Sequence, residues 1–193
     1  MSDTPHVVAV CGSLRAESYT RKALRIVLEE AENRGATVDL LDLRELDLPL
    51  FDGDDRDAGD AAELRERVAR ADSVVLGTPV YHGSYSSVLK TALDYCGFDE
   101  FEHTTVGLCC VAGGSFPITA LDHLRSVCRA LDAWVVPHQV ALPTVRSKFE
   151  GADLREESDA DRVRTLGQRV VEYANIEPDP PCLESTENVG AAD

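Results

Sequence analysis

The chain is short of lysine and rich in carboxylates. Lys22, Lys90 and Lys148 are its only lysines, and 19 basic residues stand against 35 acidic ones, for a formal net charge of −16. We do not expect nucleic acid as a partner, because binding to a phosphate backbone needs clustered basic residues. The balance suggests adaptation to high intracellular salt, which screens repulsion between carboxylates. An ordinary acidic protein and an acidic interaction surface are the alternatives.

Long apolar runs are also missing. No stretch of about 20 apolar residues is available to span a bilayer. The first residues, MSDTPHVV, contain no basic region ahead of a hydrophobic segment, as a secretory signal would. We therefore expect a soluble cytoplasmic protein with no membrane partner.

Patterns for disulfides and metal sites are absent as well. The six cysteines form no Cys-x-x-Cys pair, and the five histidines are scattered without ligand spacing. Cys109 and Cys110 are adjacent in an apolar run, so their side chains should point to opposite faces of a strand. We predict buried thiols in a reducing compartment and no metal site.

What the chain does have is a regular alternation of strand and helix patterns. Short Val-rich segments typical of strands covered on both faces occupy residues 6–11, 37–43, 73–80, 104–112 and 133–142. Amphipathic stripes between them predict helices ending at Gly35, starting at Asp60 in a capping box with Glu63, spanning about Ser86–Cys96, following Pro117, and spanning about 159–174.

This alternation predicts an α/β fold with helices on both faces of a parallel sheet and right-handed crossovers. Five such units favour a three-layer α/β/α sandwich of the flavodoxin-like type, with a five-stranded parallel sheet in the order 2-1-3-4-5. Residues 1–175 would form this single domain. The acidic, proline-containing tail 176–193 lacks an apolar face, and we expect it to be flexible or packed on a neighbour.

Ligands of such sheets bind beyond the carboxyl ends of the strands, which directs attention to the loops at 12–20, 78–86 and 112–117. The first loop has neither a P-loop ending nor Gly-x-Gly-x-x-Gly. Its Gly12, its guanidinium at Arg15 and its hydroxyls at Ser13, Ser18 and Thr20 precede a helix and could bind a phosphate monoester without a metal. Alternatively, Ser18 merely caps that helix and Arg15 is a surface residue.

The same loop carries a family resemblance. GSLR at 12–15, followed by Ser18 and Thr20, resembles the "GSLR..S.N" signature of the NADPH-dependent FMN reductase family. TPVYHGSYSSVLKTALDY at 78–95 and VAGGSF at 111–116 resemble its second and third blocks, and the likeness covers approximately residues 6–142. Thr20 and His82 stand where Asn is frequent in the family, and Ser86-Ser87 replaces a common Pro-Gly pair.

The resemblance implies an FMN site on these loops. The FMN phosphate would be held by Ser13, Arg15, Ser18 and Thr20. The ribityl chain and ring edge would be followed by Pro79, Val80, Tyr81, His82 and Gly83. The other side of the ring would be closed by Gly113, Gly114 and Ser115. Taken without the resemblance, these glycines only permit turns, Tyr81 is a loop aromatic and His82 a polar loop residue.

The implied activity is NAD(P)H-dependent FMN reduction, in which NADPH or NADH gives a hydride to flavin N5 and a small-molecule acceptor takes the electrons. We expect no catalytic side chain, in keeping with the lack of a Ser-His-Asp, Cys-His or paired-carboxylate pattern. The alternatives are a quinone, azo or metal-oxyanion reductase with bound FMN, and a flavodoxin-like electron carrier that does not oxidise NAD(P)H. Members of the family commonly form dimers or tetramers, so the resemblance also implies a homo-oligomer.

Overall fold

A computed structural model describes residues 4–174 of the chain. Its main sheet is five-stranded and parallel, in the order β2-β1-β3-β4-β5, which confirms the predicted flavodoxin-like fold. The strands are β1 His6–Cys11, β2 Thr37–Asp42, β3 Ser73–Pro79, β4 Thr105–Val111 and β5 Trp134–Leu142. The predicted tail at 176–193 lies outside the described residues.

Helices cover both faces of the sheet. They are α1 Tyr19–Asn33, α2 Ala61–Ala69, α3 Ser87–Tyr95, the single turn α4 Phe98–Phe101, α5 Ile118–Ala130 and α6 Glu157–Glu172. A short 3₁₀ helix at Val145–Ser147 and an antiparallel pair, β6 Phe149–Glu150 and β7 Asp153–Leu154, follow β5. The sequence patterns predicted the five long helices but not these short elements.

Two apolar cores lie on opposite sides of the sheet. One holds side chains of α1 and α6, including Leu24 and Leu166, and the other holds those of α2, α3 and α5, including Leu89 and Leu121. The adjacent thiols divide between them as the strand period requires, with Cys109 in the first core and Cys110 in the second. The described cysteines are buried and unbridged.

The helix ends that the sequence predicted were confirmed at α1 but not at α2. Gly35 follows α1 with a φ of +87°, the left-handed conformation expected after a helix end. The predicted capping box at α2 is wrong: Asp60 occupies the N-cap position, but its carboxylate accepts a hydrogen bond from Asp47 N–H at 2.7 Å instead of capping the helix. The loop between β2 and α2, residues 43–60, therefore uses the side chain that the pattern assigned to the helix.

The close contact between α1 and the sheet depends on a glycine. A Cβ on Gly77 of β3 would lie 2.5 Å from Leu24 Cδ1, so the glycine leaves room for α1 to sit on the sheet centre. At the edge, β5 carries extra residues opposite the Val106–Leu108 segment of β4, around Pro137. Proline has no N–H for a ladder hydrogen bond, which accounts for the irregularity in this strand.

None of the helices between residues 4 and 174 is both long and apolar enough to cross a membrane.

Candidate functional site

A cavity of about 290 Å³ opens at the carboxyl ends of the strands, the edge of the sheet where such folds bind ligands. Loops after β1, β3, β4 and β5 all contribute to it. The residues that line it are Ser13, Arg15, Tyr19, Thr20, Pro79, Val80, Tyr81, Val111, Gly113, Gly114, Val145 and Arg146.

The loop after β1 presents hydroxyls and a guanidinium at the start of α1. Ser13 and Thr20 are buried, at 2% and 1% exposure, and both line the cavity together with the exposed Arg15. The Thr20 hydroxyl has no hydrogen-bond partner anywhere in residues 4–174. Since a buried polar group normally has one, this hydroxyl marks a place where a bound anion would complete the structure.

Ser18 has a different role from its neighbours. Its backbone is extended, and its Oγ accepts a hydrogen bond from Arg21 N–H at 3.1 Å, so it is the N-cap of α1. It does not line the cavity. The first turn of α1 contains no acidic residue, which leaves the positive end of the helix dipole free of a competing carboxylate.

An ion pair behind this loop holds its shape. Arg21 Nε lies 2.5 Å from Asp42 Oδ2 at the end of β2, and its other nitrogens donate to Ala16 O at 2.8 Å and Arg15 O at 3.2 Å. Burial works against the charge of this guanidinium, but the hydrogen bond and attraction from Asp42 outweigh it and raise the pKa of Arg21. Sequence reasoning missed this pair, because nothing in the spacing connects a helix residue to a strand end 21 positions away.

The loop after β3 contains a two-residue reverse turn. Tyr81 and Ser84 exchange backbone hydrogen bonds of 2.9 and 3.0 Å, and His82 and Gly83 between them have φ values of 51° and 80°. Positive φ at both central positions defines a type I′ turn, for which Asn-Gly is the preferred pair. His82 therefore occupies a turn position for which Asn is the preferred residue, and its side chain is exposed and does not line the cavity.

Hydroxyl groups join the loop after β1 to the loop after β3. Ser86 Oγ donates to Gly12 O at 2.6 Å, and Thr78 Oγ1 accepts a hydrogen bond from Ser86 N–H at 2.9 Å. A Cβ on Gly12 would lie 2.8 Å from Leu89 Cβ, so this glycine serves close packing and does not adopt a left-handed turn. The two walls of the cavity are thus joined through buried groups.

The loops after β4 and β5 form the remaining wall. Gly113 and Gly114 are exposed, and a Cβ at either position would meet nothing within 4 Å, so open space lies beside their backbone. Thr144 N–H donates to Gly114 O at 2.9 Å, which brings the next residues, Val145 and Arg146, onto the cavity.

The structure therefore brings together eight of the residues that the sequence proposed for the site: Ser13, Arg15, Thr20, Pro79, Val80, Tyr81, Gly113 and Gly114. Ser18, His82, Gly83 and Ser115 lie on the same loops but do not line the cavity. Sequence reasoning missed Tyr19, Val111, Val145 and Arg146. The signal that could have found the last two is topological, because a fifth parallel strand also ends at this edge of the sheet.

The chemistry of the lining is that of a binding site. It includes two arginines and no Asp or Glu, although the chain as a whole is strongly acidic. Behind it, burial raises the pKa of the Cys11 thiol to about 11, which keeps this sulfur in its unreactive neutral form. Within the described range, no group of three or more His, Cys, Asp or Glu side chains is placed to hold a metal ion. With two arginines and no carboxylate, the lining is suited to an anionic ligand.

Comparisons with known proteins agree with this geometry. A family model described as NADPH-dependent FMN reductase matches residues 5–147. An FMN-dependent NADPH-azoreductase from Staphylococcus aureus (strain USA300) is 32% identical over 180 residues, which is 88% of this chain and 95% of that protein.

Solved structures share the fold. An NADH:FMN oxidoreductase in its apo form superposes with a TM-score of 0.75 at 21% identity, over 91% of this chain and 92% of that one. A flavoenzyme NAD(P)H:(acceptor) oxidoreductase from Paracoccus denitrificans superposes with a TM-score of 0.74 at 20% identity, over 89% and 97%.

Proposed function

Because the chain belongs to the NADPH-dependent FMN reductase family, we propose that the cavity beyond β1, β3, β4 and β5 is its FMN site. The chain is an oxidoreductase that uses FMN as cofactor and NAD(P)H as electron donor. What remains to be assigned is which of its residues hold the cofactor and which compounds accept the electrons.

The buried Thr20 hydroxyl carries the proposal. It has no partner among the described residues, it belongs to a cavity-lining side chain, and it lies in the first turn of α1 beside Arg15. A phosphate monoester carries nearly two negative charges at neutral pH and several acceptor oxygens, so it would satisfy this hydroxyl and neutralise the guanidinium. We assign the phosphate of FMN to Ser13, Arg15 and Thr20, with Ser18 shaping the helix end behind them.

The other wall suits a flat ring. Gly113 and Gly114 have no side chains and open space beside them, so main chain can approach a planar ligand closely. Pro79 and Val80, at the end of the neighbouring strand, line the same cavity, and Val80 N–H donates a hydrogen bond of 2.9 Å to Val111 O. Tyr81 stands at the rim with about half of its surface exposed, at 51%. We assign the isoalloxazine ring to the space between these loops.

Bound FMN would supply the redox chemistry, accepting a hydride at N5 and passing electrons on. The protein would orient the bound cofactor and shield it from solvent. The loop residues would fix the phosphate, the joined walls would set the ring plane, and Arg15 would provide positive charge for the anionic cofactor. The cavity lining contains no cysteine and no histidine that could take part in the reaction.

Azo compounds are the second candidate as acceptors. The curated relatives at 32% identity are FMN-dependent NADPH-azoreductases, and this chain covers 95% of their length. We propose reduction of free flavin or of an azo compound through bound FMN, with quinones and metal oxyanions as further acceptors to be compared. The electron-carrier alternative is disfavoured, because the family is one of reductases that oxidise NADPH directly.

We further propose that the protein works in the cytoplasm as a homo-oligomer. A requirement for NAD(P)H supports the location, and the family resemblance supports the assembly. Exposed large apolar side chains, including Leu14 in the loop after β1, Phe116 in the loop after β4, and Leu50, offer surface for a second copy. Light scattering of the purified protein over a concentration range tests the assembly.

The decisive experiment compares wild type with Arg15→Ala. Titration of FMN, followed by quenching of flavin fluorescence, should show an affinity loss of about 1.5–3 kcal/mol, or roughly 10–100-fold, if the guanidinium binds phosphate. Arg129→Ala removes an exposed arginine on α5, away from the cavity, and is the matched control. Equal FMN affinity in all three proteins would contradict the phosphate assignment.

The activity itself is tested by absorbance. Anaerobic addition of NADPH to the FMN-loaded protein should bleach the oxidised flavin band without any partner protein. Bound flavin that stays oxidised would instead indicate an electron carrier.

A further inference from the structure

A second guanidinium faces the cavity and is not accounted for by the cofactor phosphate. Arg146 lines the same space as Arg15, in a molecule whose formal net charge is −16. Its side chain is exposed and makes no hydrogen bond or ion pair within residues 4–174. Arg21, Arg65 and Arg67 are paired with carboxylates, whereas the exposed Arg25, Arg56 and Arg129 have no carboxylate partner among the described residues but do not line this cavity. An unpaired arginine beside a ligand cavity indicates a second anion.

The backbone that carries Arg146 is held firmly. Val145 N–H donates to Ala112 O at 2.9 Å, and Thr144, at a left-handed φ of 49°, donates to Gly114 O at the same distance. The side chains of Val145 and Phe149 on either side of Arg146 are buried, at 5% and 6% exposure. Arg146 therefore projects from a fixed turn between two core anchors, which is the arrangement of a positioned binding group.

The sheet order places this turn away from the phosphate loop. β5 is three strands from β1, and since neighbouring strands lie about 4.8 Å apart, their carboxyl ends are separated by roughly 14 Å. The backbone hydrogen bonds of the turn go to Ala112 and Gly114, in the wall that we assign to the ring. Arg146 thus stands on the ring side of the cavity, while Ser13, Arg15 and Thr20 stand on the phosphate side.

We propose that Arg146 binds a phosphoryl group of the nicotinamide nucleotide and is a specificity-determining residue for the electron donor. This inference rests on the proposed function, because a donor must dock against the ring for hydride transfer. NADPH brings two sources of the same chemistry, a diphosphate bridge and a 2′-phosphate monoester, and NADH brings only the bridge. A guanidinium fork matches the oxygens of either group.

The test uses the FMN-loaded protein and two charge-matched variants. Arg146→Gln removes the proposed contact, and Arg129→Gln removes an exposed arginine of α5 outside the cavity. KM and kcat are measured with NADPH and with NADH. Independently of turnover, the affinities for adenosine 2′,5′-bisphosphate and for ADP are measured by calorimetry, and the FMN affinity by fluorescence titration. Circular dichroism melting verifies that each variant is folded.

We expect Arg146→Gln to raise KM for NADPH about tenfold or more, as loss of a charge-assisted hydrogen bond would, with FMN affinity and kcat near wild type. Arg129→Gln should leave these constants unchanged. If affinity for adenosine 2′,5′-bisphosphate falls while that for ADP and the KM for NADH hold, the 2′-phosphate is the bound group. If both nucleotides weaken together, the bound group is the 5′-phosphoryl group that they share, which is part of the diphosphate bridge in the donor.

Two results would overturn the inference. One is an unchanged KM for both donors in a folded Arg146→Gln variant. The other is a loss of FMN affinity comparable to that of Arg15→Ala, which would assign Arg146 to the cofactor phosphate. A wild-type protein that binds FMN but oxidises neither donor would refute the proposed function itself, and wild type is therefore assayed first.

Discussion

At the scale of single residues, burial holds five cysteine thiols in their neutral form. It raises the pKa of Cys11 to about 11 and those of Cys96, Cys109 and Cys128 to about 12, from an ordinary value of 9.0. The pKa of Cys110 is raised further by the same cause. These thiols are packing groups, and their protonation is tied to folding.

Alkaline pH should therefore destabilise the fold. A thiol pKa that is raised in the folded state gives stability that is complete below pH 9.0 and is lost as pH rises through the folded values near 11 to 12. Each thiol contributes a slope of up to about 1.4 kcal/mol per pH unit in that window. Urea unfolding at several pH values between 8 and 11 measures it.

The matched variant is Cys128→Ala, which removes one buried thiol from α5. This variant should be somewhat less stable than wild type at pH 7.5. Its free energy of unfolding should fall less steeply as pH rises, and the difference in slope should equal about the contribution of one thiol. Equal slopes in the two proteins would mean that other groups cause the alkaline unfolding.

The residue scale also shows what a sequence pattern conveys and what it omits. The His82-Gly83 pair could be placed in a turn from its composition and from the loop position. Which way His82 points depends on the backbone conformation, which here is left-handed at both residues and leaves the imidazole exposed. The strand order places the segment after β5 at the same edge of the sheet, but the lining role of Arg146 also depends on a turn that is hydrogen-bonded to another loop.

At the scale of elements, α1 and α6 pack through a glycine. A Cβ at Gly167 of α6 would lie 2.4 Å from Val27 O of α1 and 3.0 Å from Glu30 Cβ. Backbone cannot move aside as a flexible side chain can, so the two helices approach this closely only because Gly167 has no side chain.

Gly167→Ala should lower the free energy of unfolding by about 1–3 kcal/mol, because overlap with a backbone carbonyl exceeds the roughly 1 kcal/mol that alanine gains in helix propensity. Denaturant unfolding measures the change. Gly53→Ala, in an exposed loop with nothing within 4 Å of the new Cβ, is the control and should be neutral or slightly stabilising. A Gly167→Ala protein more stable than wild type would show that α1 and α6 can separate at little cost.

Element types and order were predictable, because apolar periodicity reports the covered faces directly. The strands and the long helices followed from this signal, and the sheet order followed from their alternation. The capping box at Asp60 and Glu63 was wrong because a carboxylate has several possible donors, and the bend at Asp47 supplied a competing one. The β6–β7 pair was too short for any periodicity to register.

At the scale of the whole molecule, acidic charge dominates the surface while the cavity is basic. Net charge of −16 repels itself in the compact state, and added salt shortens the range of that repulsion to about 3 Å at 1 M. We therefore propose that the protein is adapted to salt. The proposal rests on the composition and not on individual ion pairs, because a single surface ion pair contributes little to stability.

Raising KCl from 0.1 M to 2 M should raise the unfolding midpoint, by about 2–8 °C for a gain of about 1–2 kcal/mol in a chain of this size. The double variant Asp54→Asn and Asp55→Asn removes two exposed charges from the acidic loop, changes the net charge from −16 to −14, and should show a smaller rise. Thermal melts by circular dichroism give the comparison. A midpoint that falls steadily with KCl would refute the adaptation.

The contact between Ser86 and Gly12 has a consequence for how the cavity meets its ligands. Ser86 Oγ donates to Gly12 O at 2.6 Å, and Ser86 N–H donates to the Thr78 hydroxyl, so the two loops are joined without the covalent restraint that a proline ring would give. The loops that carry the proposed flavin site are therefore joined by hydrogen bonds, which can open and form again. Loosening these bonds would turn a rigid template into an adaptable one without altering any residue that lines the cavity.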